Sequence, residues 1–293
     1  MIMPKTGRII KAISGFYYVS YENRLIECRA RGIFKYRGEK PLVGDYAEFE
    51  EEEGDRGFIT SILPRKNSFL RPAIANIDQL VIVASEQKPK TEAFFIDKIS
   101  IIAERNNSCV LLCINKADLN SEDELSKIYE LTDIVVIHTS AVTGFGLDEL
   151  KNELRNRCSA FVGNSGVGKS SILNSLDPKI SRKVNDLSEK TWRGRHTTRE
   201  VELFDLGYGL IADTPGFSMI DIEASLPMKK EELQFDFKEF RPFIPECRFS
   251  PCAHLNEPDC AVKEAVSRGL ISRSRYESYV KLFDIANQME NIW

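Results

Sequence analysis

One glycine-rich stretch of the sequence has the residue types that hold phosphate groups. Residues 163–170 read Gly-Asn-Ser-Gly-Val-Gly-Lys-Ser and fill every position of the G-x-x-x-x-G-K-[ST] loop. Its glycines let the backbone turn tightly and aim N–H groups at phosphate oxygens, beside the N-terminus of the next helix. A chance glycine-rich turn is the alternative. The apolar run before the loop (160–162) and the helical period after it (169–176) favour a nucleotide site.

A second group of residues has the spacing that distinguishes guanine from adenine. Asn115-Lys-Ala-Asp118 follows an apolar strand predicted over 109–115 and matches the N-K-x-D pattern. The carboxylate of Asp118 can accept hydrogen bonds from both N1–H and the exocyclic amine of guanine, and adenine offers neither in that arrangement. Thr139-Ser-Ala141 follows the next predicted strand and matches the S-A-x element that backs the base. Together these motifs predict selection of GTP over ATP.

The motifs occur in an unusual order along the chain. Asp213-Thr-Pro-Gly216, after the last predicted strand, is the D-x-x-G element that bonds the Mg²⁺ shell and senses the γ-phosphate. The base motif therefore precedes the phosphate loop, whereas ordinary GTPases run from the phosphate loop to the base motif. Because the site is assembled from strand ends, the same pocket forms if the old termini are joined and the chain is opened elsewhere. The order predicts a circularly permuted GTPase domain.

Specific residues follow from these motifs. The catalytic candidates are His196, Thr198 and Lys169, of which Lys169 can reach the β- and γ-phosphates. Ser170 and Thr198 are the expected ligands of Mg²⁺. The residues expected to bind GTP or GDP are Asn115, Lys116, Ala117, Asp118, Ser140, Ala141, Gly163, Asn164, Ser165, Gly166, Val167, Gly168, Lys169, Ser170, Ser171, Asp213 and Gly216.

The group that orients the attacking water stays open at this point. Ras-like enzymes place a glutamine directly after D-x-x-G, and this chain has Phe217 there, which cannot hydrogen-bond a water. His196, two residues before Thr198, is the best internal candidate, and an exposed polar residue in a loop is the equal alternative. Slow intrinsic turnover is expected in either case.

A compact set of metal-ligand residues lies near the C-terminus. Cys247, Cys252, His254 and Cys260 fall within 14 residues and include three of the seven cysteines. Three thiolates and one imidazole at this spacing predict one closed, structural Zn²⁺ site, although ligand softness alone does not separate zinc from iron. Incidental free thiols are the alternative. The remaining cysteines, at 28, 109, 113 and 158, are expected to be ordinary buried thiols.

The surrounding elements predict three regions. Five short strands (7–13, 16–20, 24–29, 46–51 and 58–63) separated by turns indicate a small closed barrel of the oligonucleotide-binding (OB) type. Residues 65–76 are interpreted as a linker. Strands then alternate with helices as far as Asp213, which predicts a mostly parallel sheet covered on both faces, with its ligands at the carboxyl ends of the strands. Two helices, 261–268 and 272–288, close the chain.

Composition and charge add bounds to these predictions. A length of 293 residues with 42% hydrophobic and 29% charged residues is typical of a globular protein with two or three domains. The sequence has no long apolar run and no signal-peptide core at its start, so we expect a cytoplasmic location and no membrane partner. Residues 1–40 have nine Lys/Arg against three Glu. This basic segment with its interleaved aromatic residues is either a solvated face or a nucleic-acid surface.

With the reversed motif order, the barrel before it and the Cys-Cys-His-Cys cluster after it, the whole chain resembles the RsgA (YjeQ/YloQ) family. Further anchors are Gly194-Arg-His-Thr-Thr198 and Asp213-Thr-Pro-Gly-Phe217. The resemblance implies an OB-fold RNA-binding domain (1–70), a circularly permuted P-loop GTPase domain (71–220) and a mostly helical zinc-binding domain (221–293). It also implies binding to the small ribosomal subunit and its 16S rRNA, ribosome-stimulated GTP hydrolysis and a monomeric state. The alternative is an RNA-binding assembly module regulated by nucleotide, with little catalytic role.

Overall fold

The computed structural model describes residues 4–32, 34, 38–70, 72–119, 123–178, 201–213 and 229–290, with only the backbone described for Asp213. Three regions follow one another along these residues: a β-barrel, an α/β domain and a C-terminal helical region. Among the described helices, none combines the length and apolar character needed to span a membrane.

The N-terminal region is a five-stranded barrel. Its strands are β1 (Lys5–Ile13), β2 (Phe16–Tyr21), β3 (Arg24–Ala30), β4 (Tyr46–Glu52) and β5 (Arg56–Ile62). The strands β1, β2 and β3 form an antiparallel meander, β3 pairs with β5 in parallel, and β4 joins β5 and then returns to β1, so that the sheet closes. Alternate side chains point inward, as the period of two requires. The predicted barrel and its five strands are confirmed.

The connection after the barrel is more ordered than the sequence suggested. A small hairpin, β6 (Ser68–Leu70) and β7 (Ala73–Ala75), occupies the stretch interpreted as a linker. Ile74 in this hairpin is fully buried, and Asn67 donates to the carbonyl oxygens of Ile77 and Asn106. The linker interpretation was wrong in this respect, because Asn67 and Asn76 are buried and satisfy backbone carbonyl groups.

The central region is a six-stranded sheet with helices on its faces. Its strands are β8 (Gln79–Ser85), β9 (Cys109–Asn115), β10 (Val135–His138), β11 (Cys158–Val162), β12 (Glu202–Asp205) and β13 (Leu210–Asp213). Their order is β10-β9-β8-β11-β13-β12, and all neighbours are parallel except β12 and β13. β8 is buried along its whole length, as expected for a central parallel strand. The predicted sheet is confirmed.

Four helices connect these strands in the part of the chain that the structure describes. They are α1 (Ala93–Arg105), α2 (Glu124–Tyr129), α3 (Leu147–Leu154) and α4 (Lys169–Leu176). α4 covers the helical period that the sequence shows at 169–176. In the described part of the chain α2 begins at Glu124, without a side-chain cap from its own N-cap residue.

The barrel and the α/β sheet are joined edge to edge. β1 pairs with β12 through Lys11 and Glu202, and this pairing makes one continuous sheet of eleven strands. The Lys11 ammonium also lies 3.0 Å from the Glu202 carboxylate. β12, the first strand after residues 179–200, is therefore hydrogen-bonded directly to the barrel.

Residues 229–290 of the C-terminal region form short 3₁₀ turns and two helices. The turns are Leu233–Phe235, Lys238–Phe240 and Ile244–Glu246, and the helices are α5 (Ala261–Ser267) and α6 (Arg273–Glu290). Phe237, Phe240 and Tyr279 are buried and pack their rings together at centroid distances between 5.0 and 5.5 Å. This aromatic core gives a short segment a hydrophobic centre of its own.

A buried ion cluster fastens the C-terminal region to the α/β domain. The guanidinium of Arg275 donates to the Asp97 carboxylate of α1 at 2.7 Å and to Glu239 at 2.6 Å. Arg275 is 3% exposed, and the hydroxyl of Tyr129 also donates to Asp97, at 2.8 Å. Burial opposes the charge of Arg275, but the carboxylates of Asp97 and Glu239 outweigh it and raise its pKa. The sequence placed Arg275 only as a basic residue on the last helix.

The expectation for the four isolated cysteines is partly wrong. Cys28, Cys113 and Cys158 are buried, whereas Cys109 is exposed. Burial raises the pKa of Cys113 to about 12 and that of Cys158 to about 11, so both are neutral thiols at neutral pH. Cys109 is the first residue of β9, at the N-terminal end of the strand.

Candidate nucleotide site and metal centre

The phosphate loop connects β11 to α4, as its sequence context predicted. Gly166 and Gly168 have φ values of 82° and 99°, a left-handed conformation that favours glycine. A Cβ atom at Gly168 would overlap the side-chain amide of Asn115, and one at Gly163 would lie 2.5 Å from the carbonyl oxygen of Val83. These glycines are therefore required both by backbone conformation and by close packing under the loop.

Asn115 holds the base motif against the phosphate loop. Its Nδ2 donates to the carbonyl oxygen of Val167 at 2.9 Å, and its Oδ1 accepts from the N–H of Ala141 at 3.2 Å. The residue is 4% exposed, so both bonds form away from bulk water. One side chain thus joins three motifs that are separated along the chain: N-K-x-D, S-A-x and the phosphate loop.

Asp118 is oriented by the loop that follows β10. Ser140 donates from its Oγ to the Asp118 carboxylate at 2.5 Å, and the same oxygen accepts from the N–H groups of Val142 and Thr143 at 3.3 and 3.1 Å. Ala117 donates its backbone N–H to the carbonyl oxygen of Thr139. Although Ser140 holds its carboxylate, Asp118 remains exposed on the surface, as a group that contacts a ligand must be.

Lys116 makes a contact that the sequence did not predict. It lies in the left-handed region with φ 70°, and its Nζ donates to the carbonyl oxygen of Lys88 at 2.8 Å. Lys88 belongs to the connection between β8 and α1, which matches no nucleotide-binding motif. Strand order was the only available signal for this contact, because β8 and β9 are neighbours and their C-terminal ends must meet.

The other predicted nucleotide residues are placed in part. Lys169, Ser170 and Ser171 begin α4, and Ser170 and Ser171 are exposed. Asn164 is half-buried and Ser165 exposed within the loop. Asp213 ends β13, opposite Glu202 of β12. His196, Thr198, Gly216 and Phe217 lie outside the described residues, so their roles stay predictions.

The four predicted metal ligands come together. The ligand atoms of Cys247, Cys252, His254 and Cys260 all lie within 4.8 Å of one another. The Sγ of Cys247 is 3.9 Å from the Sγ of Cys260 and 3.6 Å from the Nδ1 of His254. A tetrahedral zinc ion with Zn–S bonds of about 2.3 Å would separate two sulfurs by about 3.8 Å. The donor set and its spacing fit one closed tetrahedral metal site.

A second residue orients the histidine of this cluster. The Nε2 of His254 lies 2.8 Å from the Oε1 of Gln234, and its Nδ1 faces the cysteine sulfurs, 3.3 Å from Cys260. An imidazole that donates from Nε2 presents its Nδ1 lone pair to a metal. Burial lowers the pKa of His254, which favours the neutral ring. Sequence spacing did not identify Gln234, because it is 20 residues before the histidine.

The basic segment of the barrel is largely paired within the protein. Lys5 and Arg24 bond Glu51, Arg31 bonds Glu50, and Lys11 bonds Glu202. Glu50 and Glu51 of β4 therefore pair with three of the nine basic residues in 1–40.

On the outer face of β2 and β3, a basic side chain lies over an aromatic ring. The Arg29 guanidinium lies 4.7 Å from the ring centroid of Phe16, and Arg29 is exposed. Tyr18, on the same face, is half-buried and donates to Glu27. Two other aromatic residues of the basic segment, Tyr17 and Phe34, are core residues, and Tyr36 lies outside the described residues.

Comparison with known proteins decides the family. The protein-family model of the RsgA GTPase matches residues 62–223, and the family model of the RsgA N-terminal domain matches residues 6–59. The chain belongs to the RsgA GTPase family. It is 46% identical to the small ribosomal subunit biogenesis GTPase RsgA of Caldanaerobacter subterraneus subsp. tengcongensis, over 97% of this chain and 96% of that protein. The namesake from Halalkalibacterium halodurans is 44% identical over 96% and 97% of the two chains.

Solved structures of this RsgA family have the same architecture. YjeQ from Thermotoga maritima superposes with a TM-score of 0.83 at 37% identity, over 97% of this chain and 99% of that one. YloQ, described as a circularly permuted GTPase, gives 0.80 at 33% identity over 98% and 96%. The sequence-based recognition and the permuted, three-part fold class are both confirmed.

Proposed function

We propose that this RsgA-family GTPase binds the small ribosomal subunit and acts in its maturation, with hydrolysis of GTP to GDP and phosphate stimulated by that subunit. The contact from Asn115 to Val167 is the main support for guanine-nucleotide binding, since it joins the guanine motif to the phosphate loop in one site. Relatives at 46% and 44% identity that are named for small ribosomal subunit biogenesis support the ribosomal role.

Each motif residue has a role in this proposal. Backbone N–H groups of residues 163–168 and the side chain of Lys169 hold the phosphates, and Asp118 accepts from the guanine edge. Ser170 and Thr198 would hold Mg²⁺, which would neutralise charge on the phosphate oxygens, and Asp213 and Gly216 would contact the metal shell and the γ-phosphate. In hydrolysis, water adds to the γ-phosphorus, the bond to the β,γ-bridging oxygen breaks, and the water proton leaves to solvent or a base.

The source of water activation divides the proposal into two possibilities. His196 is the internal candidate that orients the water, and the ribosomal subunit is the external one, because Phe217 stands where a glutamine would act. Slow turnover in the absence of the subunit is expected from either. Replacing His196 by Ala should abolish stimulated hydrolysis with GTP affinity near normal if the histidine acts directly.

The flanking regions complete the proposed assignment. Residues 1–70 form the RNA-binding domain, with Phe16 and Arg29 on the outer face of the barrel as contacts for 16S rRNA. Residues 71–220 form the GTPase domain. Residues 221–293 form the zinc domain, in which the cysteines and His254 hold one structural Zn²⁺. The protein acts as a monomer in the cytoplasm, where ribosomal subunits assemble.

The experiment that tests the function is phosphate release by the purified protein. GTP is supplied with small subunits, with large subunits or alone, and ATP serves as the nucleotide control. Acceleration by small subunits and only on GTP is the expected result. Equal rates under all conditions, with guanine nucleotide still bound, would favour the second candidate, a nucleotide-regulated RNA-binding assembly module. The phenylalanine at position 217 is the observation that keeps this candidate open.

A further inference from the structure

The connection between β8 and α1 is closed at its base by two buried polar residues. Thr91 donates its backbone N–H to the carbonyl oxygen of Ser85 at 2.8 Å, and its Oγ1 accepts from the N–H of Ser85 at 3.0 Å. Ser85 is fully buried and Thr91 is 1% exposed. Ser85 is also paired with Asn115 across the sheet. Residues 86–90 are therefore held as a defined loop beside the base motif.

The carboxylate of Glu86 caps helix α2. Its Oε1 accepts from the backbone N–H of Leu125 at 2.7 Å, and its Oε2 accepts from that of Asp123 at 3.0 Å. The N-cap residue of α2 provides no side-chain hydrogen bond of its own. A six-residue helix is marginal without tertiary support, and a negative charge at its N-terminus also complements the helix dipole.

Two further contacts join this loop to the nucleotide-binding motifs. The carbonyl oxygen of Lys88 accepts from the Nζ of Lys116, the lysine of N-K-x-D, at 2.8 Å. The Pro89 ring lies over the phosphate loop, where a Cβ atom at Gly166 would be 3.2 and 3.3 Å from its Cγ and Cδ. Residues 86–89 thus contact the base motif, the helix that follows it and the phosphate loop.

We propose that residues 86–89, the clasp, position Lys116 and the start of α2 for guanine-nucleotide binding, with Glu86 as the positioning residue. The inference rests on the proposed function, because it assigns a new element to the same site. A base motif that is already held needs less ordering when the nucleotide binds, and preorganisation of this kind slows release of the ligand. The clasp contacts Lys116 and α2, whereas Ser140 holds the carboxylate of Asp118, so we expect the clasp to affect affinity and to leave base selectivity unchanged.

Dissociation of a fluorescent GDP (the N-methylanthraniloyl derivative) from the full-length protein tests the proposal. Glu86→Ala removes both hydrogen bonds that cap α2. The dissociation rate of GDP should then rise roughly five- to tenfold, because loss of a helix cap costs free energy on that scale. Glu86→Gln keeps an acceptor oxygen and should restore part of the difference. The matched control is Glu92→Ala, which removes the same charge from an exposed glutamate that makes no capping bond to α1; its rate should equal that of the parent protein.

A double variant separates positioning from a general loss of stability. If the clasp acts through Lys116, then Glu86→Ala adds little to Lys116→Ala, and the two effects are not additive. The thermal midpoint of the nucleotide-free protein should fall by only a few degrees, and excess ATP should still fail to displace the probe. Equal rates for the Glu86 and Glu92 variants, or full additivity with Lys116→Ala, would overturn the clasp. Failure of the parent protein to bind the probe would overturn the proposed function itself.

Discussion

The Nδ2 of Asn115 donates to the carbonyl oxygen of Val167, so the first residue of the base motif also supports the phosphate loop. Asn115→Ala would leave this buried carbonyl and the N–H of Ala141 without their partner. An unsatisfied buried group costs about 1–3 kcal/mol, so affinity for GDP should fall roughly 5- to 100-fold. Equilibrium titration with fluorescent GDP measures this loss of affinity. Asn152→Ala, on the exposed face of α3, is the control, and equal affinities for the two variants would contradict the coupling.

Asp118 should determine which purine the protein accepts. Ser140 holds one of its carboxylate oxygens at 2.5 Å, which fixes the group in place. In Asp118→Asn the carboxamide NH₂ replaces an acceptor by a donor, so it repels the guanine amine and suits the carbonyl at C2 of xanthine. GTP binding should weaken by at least about tenfold while XTP binding improves. Competition titrations measure both. Asp148→Asn, whose side chain is 94% exposed, should leave the preference for GTP intact.

Gln234 should control how firmly the metal is held. Its Oε1 lies 2.8 Å from His254, and Gln234→Leu would remove the acceptor that fixes the orientation of the ring. Loss of such outer contacts typically lowers metal affinity by about 10- to 100-fold, so transfer of zinc to a chromogenic chelator should accelerate. Gln288→Leu, exposed on α6, is the control. Identical transfer curves for the two variants would show that Gln234 does not support the metal.

Arg275 should be essential for stability although it belongs to no nucleotide-binding motif. Arg275→Met would leave the buried carboxylates of Asp97 and Glu239 without their cation, at a cost of about 3–5 kcal/mol. Arg273→Met on the same helix removes an arginine that is 85% exposed and paired with Glu277, and should change stability by less than about 1 kcal/mol. Urea unfolding followed by circular dichroism compares the two. Similar midpoints would mean that the cluster contributes no net stability.

Sequence reasoning predicted elements and motifs well wherever the signal is local. The phosphate loop, N-K-x-D and the metal ligands each fall within a short span, and their residue types follow from backbone conformation, base recognition or ligand softness. Strand periodicity likewise predicted the barrel and the parallel sheet. The circular permutation could also be predicted from the order of the motifs, because a site built from strand ends still forms when the chain termini are moved elsewhere.

The failures have a common physical cause. Residues 65–76 were interpreted as a linker, but Asn67 uses its amide to satisfy backbone carbonyls of distant segments. Cys109 was expected to be buried because it begins an apolar run, but it is exposed at the N-terminal end of β9. In each case the decisive neighbour is not in the local sequence.

The sequence by itself determined the chemistry of this protein: a permuted guanine-nucleotide site, a barrel and a cluster of thiolates and imidazole. Only the tertiary structure decided which side chains support that chemistry. Arg275 meets Asp97 across 178 residues of chain, and Glu86 caps a helix 39 residues away. Such partners depend on how strands and helices are stacked, because the free energy of a buried polar contact is set by the groups that surround it in space.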